Sequence, residues 1–288
     1  MSLSCPWVRM YSGHRDEKAQ PHVPRFKLTI EYAGTKYSGW QIQKNARTIQ
    51  GEIDRAVREV TTRKDFELYG SGRTDAGVHA LGQIAHLDVV TPLAPEMLRR
   101  RLNDELPADI NILGAKTVPH RFHARHDAVA RRYLYQIARR RTAFAKSFVW
   151  WVKDPINVSA MRTAAAAFVG FKDFDAFAES DDEKHDRSTL VLVDQLEIVE
   201  SGDLVLVGIE GSHFLWKMVR RIVGVLAEIG RGALAPDAAA AMFTSASGDA
   251  ARLTAPPSGL FLERVYYQGD ERRDAIAPAT PLSAYQAR

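Results

Sequence analysis

At 288 residues the chain is long enough for one large domain or two smaller ones, and its composition, 45% hydrophobic and 26% charged, is that of a globular protein with an ample core. A net charge of +4 and a pI near 9.1 exclude a strongly acidic protein and are compatible with a polyanionic partner. No continuous apolar stretch is long enough to span a membrane, and the single cysteine, Cys5, excludes a disulfide framework and points to a cytoplasmic protein.

Residues 1–24 read as an irregular polar extension with Pro21 and Pro24 and without the apolar core of a signal peptide. From residue 25 to residue 125 the pattern is that of an α+β subdomain. Phe26, Leu28, Ile30 and Tyr32 alternate with Lys27, Thr29 and Glu31, the period of a half-buried strand. Ile49, Ile53, Val57 and Val60 share a helical face, with Thr48 placed to cap it. Phe66 to Tyr69 and Gln83 to Val90 read as short strands around a glycine-rich loop. Pro95 with Met97, Leu98 and Leu102 predicts a helix carrying proline in its first turn, and Ile110 to Val118 closes the unit. The order is βαββαβ, the ferredoxin-like pattern.

Residues 126–270 follow the same plan more loosely, without an obvious sequence repeat. Tyr133, Tyr135 and Ile137 share one strand face; Arg132, Leu134 and Gln136 share the other. Val158, Met161, Ala165 and Phe168 make a helical stripe. Leu190 to Val199 and Leu204 to Ile209 flank Ser201-Gly202, a hairpin signal. Phe214 to Ile229 is the clearest helix, with Met218, Ile222 and Val225 in its apolar stripe and Lys217, Arg220, Gly224 and Glu228 on a solvated basic face. Phe261 to Tyr267 is a last strand. Glu179 to Asp186 reads as a charged loop and 271–288 as a loosely ordered tail. The expected fold is α+β: two ferredoxin-like halves merged into one extended, mainly antiparallel sheet flanked by helices.

The loop between the two short strands, Gly70-Ser-Gly-Arg-Thr-Asp-Ala-Gly-Val-His-Ala80, carries the chemistry. Three glycines permit a sharply turned backbone, and Arg73 stands two residues before Asp75, where an opposite charge would keep the carboxylate ionised. An ionised, pre-positioned Asp can serve as a nucleophile; a β-turn with an Asx hydrogen bond uses the same residues. The string is no phosphate cradle. The third glycine of a G-x-G-x-x-G fingerprint is replaced by Asp75 and the G-K-[ST] of a P-loop is missing, so no nucleotide cofactor is expected. His120, His123 and His126 are three apart but lack cysteine or acidic companions, and no metal is expected. Arg99 to Arg101, Arg131-Arg132, Arg139 to Arg141 and Arg220-Arg221 are clusters suited to phosphate oxygens. Tyr133 beside two of them is placed either to stack on a base or to sit in the core.

Gly72-Arg-Thr-Asp-Ala-Gly-Val-His79 resembles the signature of the TruA-type tRNA pseudouridine synthases. So, in order, do Leu28 to Gln43, Leu102-Asn103, Leu106 to Ile110, Phe122 to Arg125, Arg131 to Ile137, Met218 to Gly224 and Gly259 to Leu262. The resemblance runs from about Phe26 to about Tyr267, and Asp173-Phe-Asp-Ala-Phe177 departs from the family's serine-containing block. It implies an isomerase that converts uridine to pseudouridine in the anticodon stem-loop of tRNA, at positions thirty-eight to forty. It implies Asp75 as nucleophile, Tyr133, Arg220 and Arg73 as substrate-binding residues with Arg220 paired to Asp75, no cofactor, and a homodimer. Two rival readings are a non-catalytic RNA-binding module, against which no RNP1 string is present, and an Asp-dependent hydrolase, for which the loop supplies no second carboxylate.

Overall fold

The alternating residues at the start of the globular part form β1 (Arg25–Tyr32) in a computed structural model that describes residues 23–179, 188–244, 248–272 and 275–282. The first half continues with α1 (Ile49–Thr61), β2 (Glu67–Gly70), β3 (His79–Asp88), α2 (Pro95–Glu105) and β4 (Ile110–Val118). Thr48 caps α1 by accepting the Gly51 N–H through its hydroxyl, and Pro95 opens α2 where a helix has no use for an N–H. The second half comprises β5 (Ala128–Ala138), β6 (Trp150–Trp151), α3 (Val158–Ala165), β7 (Gly170–Asp173), β8 (Leu190–Ser201), β9 (Leu204–Gly211), α4 (Met218–Gly230) and β10 (Leu260–Tyr267).

All ten strands join one sheet with the path β4-β1-β3-β10-β5-β9-β8-β7, β2 pairing β3 and β6 pairing β5. Read by halves, the orders β4-β1-β3-β2 and β10-β5-β9-β8 are the same ferredoxin-like order twice. β3 joins them. Its first residues, His79 and Ala80, pair in parallel with Phe261 and Leu262 of β10, while Ala85 to Asp88 pair with β2. Beyond Leu262, Ala124 bridges the two strands: its N–H donates to His86 Nδ1 and its carbonyl accepts the Tyr267 hydroxyl. One apolar core lies under the first half and a second under the other, and Tyr133 packs against both.

Several expectations are corrected by the tertiary structure. β3 begins at His79, four residues before Gln83, because it is paired there by a strand from the other half. α4 starts at Met218 because Lys217 adopts a left-handed φ of 60°, which releases Phe214 to pack on Tyr133. The face of α4 expected to be solvated is partly covered: Gly224 is buried, and Lys217, Arg220 and Glu228 are half-buried. Nor are residues 275–282 loosely held. Ile276, Ala279 and Leu282 pack on Leu134, Leu206 and Phe261, and the Gln136 side chain binds the backbone of Ala279 and the hydroxyl of Thr280. Beyond Glu179, the charged loop lies outside the described residues, as does the extension before residue 23.

Candidate active site

Asp75 opens a turn closed by the Val78 N–H donating to its carbonyl at 3.1 Å, and Gly77, at φ 79°, takes the position where a type II turn requires positive φ. The first half holds this loop from both sides. The Trp40 N–H donates to the Thr74 carbonyl at 3.1 Å and the Gly77 N–H to the Tyr37 carbonyl at 3.2 Å. Gly39 makes the first contact feasible, since a Cβ there would lie 2.6 Å from the Thr74 carbonyl oxygen. The buried hydroxyls of Tyr32 and Thr74 share a hydrogen bond at 2.8 Å. Upstream, Ser71 Oγ donates to Gln83 Oε1 at 2.7 Å and Gln83 Nε2 donates to the Gly72 carbonyl at 3.0 Å. The backbone around Asp75 is therefore fixed before any substrate arrives.

The second half supplies the partner. Arg220 Nη1 donates to Asp75 Oδ2 at 3.1 Å, and Nε donates to the Ala255 carbonyl at 2.7 Å. The Ala255 N–H returns a bond to the Arg220 carbonyl at 3.0 Å, so the arginine is clamped to residue 255 through both backbone and side chain. Gly224, one turn further along α4, permits this approach: a Cβ on it would fall 1.5 Å from the Leu253 carbonyl oxygen. Tyr133 projects from β5 with Phe214 edge-on at 5.2 Å between centroids and 86° between planes. Burial, with the charge of Asp75 acting in the same direction, pushes its hydroxyl up to about 12, so it is a protonated donor at neutral pH.

Arg73 does not hold the carboxylate. It is exposed and, among the described residues, has no ion pair with Asp75; the pairing is made by Arg220, 145 residues away in sequence. The structure thus brings together Asp75, Arg220 and Tyr133, and leaves Arg73 at the rim, turned to solvent.

Sequence reasoning missed the Tyr32–Thr74 bond and the work done by Arg131. That guanidinium donates to the carbonyls of Ser71, Arg125, Ala128 and Ser212, tying the Asp75 loop to β5 and to the segment before α4. Arg131-Arg132 had only the signature of a basic cluster. Other clusters are also spoken for within the protein: Arg132 is buried against Glu263, Glu210 and Glu197, Arg139 and Arg140 pair with Glu200 and Asp203, and Arg99 and Arg100 with Glu96.

A family described as tRNA pseudouridine synthase matches residues 28–127 and 164–268, most of the chain. The chain belongs to the tRNA pseudouridine synthase family. Similar proteins include the tRNA pseudouridine synthase A of Nitrobacter winogradskyi, 40% identical over 250 residues that cover 86% of this chain and 97% of that one. That of Thermoanaerobacter sp. strain X514 is 39% identical over 242 residues, 83% of this chain and 98% of its own. The synthase is an isomerase, and both Asp75 and Arg220 lie in the family-matched segments; Tyr133 falls between them, in residues 128–163. No helix among the described residues is long and apolar enough to cross a membrane.

Proposed function

We propose that this synthase isomerises uridine in the anticodon stem-loop of tRNA, at positions thirty-eight to forty, with Asp75 as the nucleophile. The observation that carries the reading is the Asp75–Arg220 pair, a carboxylate on a pre-set turn held by a guanidinium across the junction of the two halves. The anticodon target rests on the family resemblance of the ordered sequence blocks.

In the reaction the N1–C1′ glycosidic bond breaks, the uracil turns, C5 bonds to C1′, the C5 proton leaves and N1 gains one. The composition of the nucleotide is unchanged. Asp75 attacks either the sugar carbon or the base ring; both routes need an anionic oxygen already aimed, which the fixed turn supplies. Arg220 orients the carboxylate through the Nη1–Oδ2 bond. Tyr133 offers an aromatic face to the base and a hydroxyl that donates. Because the target must leave its stack to reach Asp75, base flipping accompanies binding, and Arg73 at the rim is placed to meet the backbone of the displaced nucleotide.

Asp75→Asn tests the assignment. The amide keeps the shape and the turn, so the variant is expected to fold and bind tRNA while losing essentially all tritium release from labelled uridine. Activity within tenfold of the parent overturns the nucleophile.

We also infer a homodimer working in the cytoplasm. Cysteine usage supports the compartment. Support for the dimer comes from an apolar strip at the sheet's edge: Phe171 and Val169, with Leu190 and Leu192 of the neighbouring β8, are all exposed. Within Phe144 to Trp151 the exposed apolar surface narrows to Phe144 and Trp151, since Ala145 and Val149 are buried.

A further inference from the structure

Arg131 is a half-buried cation that donates to four backbone carbonyls. Its Nη2 reaches the Arg125 carbonyl at 2.9 Å and the Ser71 carbonyl at 3.2 Å, and its Nη1 reaches the Ser212 carbonyl at 2.8 Å. One guanidinium therefore draws Arg125 and His213 to the edge of the loop that carries Asp75. Both side chains are exposed. Among the described residues Arg125 has no ion pair, and His213 is bonded only to the Ser212 hydroxyl, through Nδ1 at 3.1 Å. Two strand positions away from Arg131 stands Tyr133, next to the carboxylate.

We propose that Arg125 and His213 form a phosphate subsite that grips the RNA backbone beside the target uridine. The inference rests on the reading of the Asp75 cleft as the uridine site. Its physical basis is a positive field. The guanidiniums of Arg131 and Arg125 repel each other, and among the described residues neither has an ion pair. The carboxylate nearest in sequence, Asp127, accepts the His123 N–H instead, so an entering anion relieves the repulsion. The same field is felt by the imidazole: burial first, then Arg131 and Arg125, hold His213 below its ordinary range. His213 meets the Ser212 hydroxyl through Nδ1 and presents Nε2, while Arg125 brings the charge and the planar fork. The clusters that sequence reading would nominate for phosphate are mostly engaged internally, whereas these two side chains face solvent.

The test uses the full chain carrying Asp75→Asn, so that the RNA is not converted, and a synthetic anticodon stem-loop. Three further copies of the RNA each carry one neutral methylphosphonate at a phosphate flanking the target. Arg125→Gln should weaken binding about tenfold and reduce the slope of log affinity against log salt by roughly one. Arg125→Lys should recover most of the affinity. One methylphosphonate should weaken the parent similarly yet add little in Arg125→Gln or His213→Gln, because the shared contact is already lost. Additive losses at every position, or an unchanged slope in Arg125→Gln, would overturn the subsite. Uridine conversion by the native chain is followed separately: its absence refutes the isomerase reading on its own, while an active native chain with additive losses refutes the subsite alone.

Discussion

Replacing Gly224 by alanine sets two physical effects against each other. Helix propensity alone favours alanine in the interior of α4 by about 1 kcal/mol. The packing opposes it. The new Cβ would lie 1.5 Å from the Leu253 carbonyl oxygen and 3.2 Å from the Ala255 nitrogen, so this segment must retreat by at least 1.5 Å to reach the 3.0 Å limit of real Cβ contacts. The atoms in the way are backbone and cannot swing aside. Retreat breaks the Arg220 Nε to Ala255 carbonyl bond and the Ala255 N–H to Arg220 carbonyl bond, each worth about 1 kcal/mol. Overpacking adds about 1–3 kcal/mol. The expected net loss is about 2–4 kcal/mol, read as a lower urea midpoint. Activity should suffer more than stability implies. Arg220 loses the clamp that aims it at Asp75, and a displacement near 1 Å in such a group costs about 10²-fold. Pseudouridine formation is then measured at a temperature where the variant is fully folded. A variant as stable as the parent and equally active would refute the argument that Gly224 exists to admit the 253–255 segment.

Tyr32→Phe should cut turnover while changing KM less, because it unties the buried Thr74 hydroxyl beside Asp75, at a stability cost of about 1–3 kcal/mol; Thr74→Val should match it, and the double variant should be no worse than either single one. His79 is buried, accepts the Gly34 N–H at Nδ1 and faces the Ser147 carbonyl with Nε2, so it is held neutral and its pKa falls to about 4, chiefly by burial. The unfolded imidazole takes its proton near 6.5, so the unfolded state binds more protons between those values. Stability should therefore fall as pH drops from about 6.5 toward 4, by up to about 3 kcal/mol from this group, and His79→Gln should flatten that part of the profile in denaturant titrations. Sedimentation should give twice the chain's 32.1 kDa, shifting toward the single chain in Phe171→Ser; a parent that sediments only as a single chain removes the dimer.

Local chemistry determined the elements. Period-two alternation at 26–32, the Thr48 cap, Pro95 and the Ser201-Gly202 turn each act over a few residues, and the strands and helices they predict are present. The glycines of the 70–80 loop, too, announced a sharp turn holding Asp75, because positive φ at Gly77 is a property of one residue. Which charge meets Asp75 was a tertiary decision. Arg73 is near in sequence but turned to solvent, whereas Arg220 arrives from another helix because Gly224 lets that helix press against residue 253. The division of the arginines was equally illegible: Arg131 and Arg132 are adjacent and alike in sequence, yet strand alternation sends one to the loop carbonyls beside the site and the other into a buried set of glutamates on the opposite face. Charge and spacing are written in the chain. Which carbonyl, carboxylate or phosphate a guanidinium finds depends on contacts between residues far apart in it, and those exist only once the two halves share a sheet.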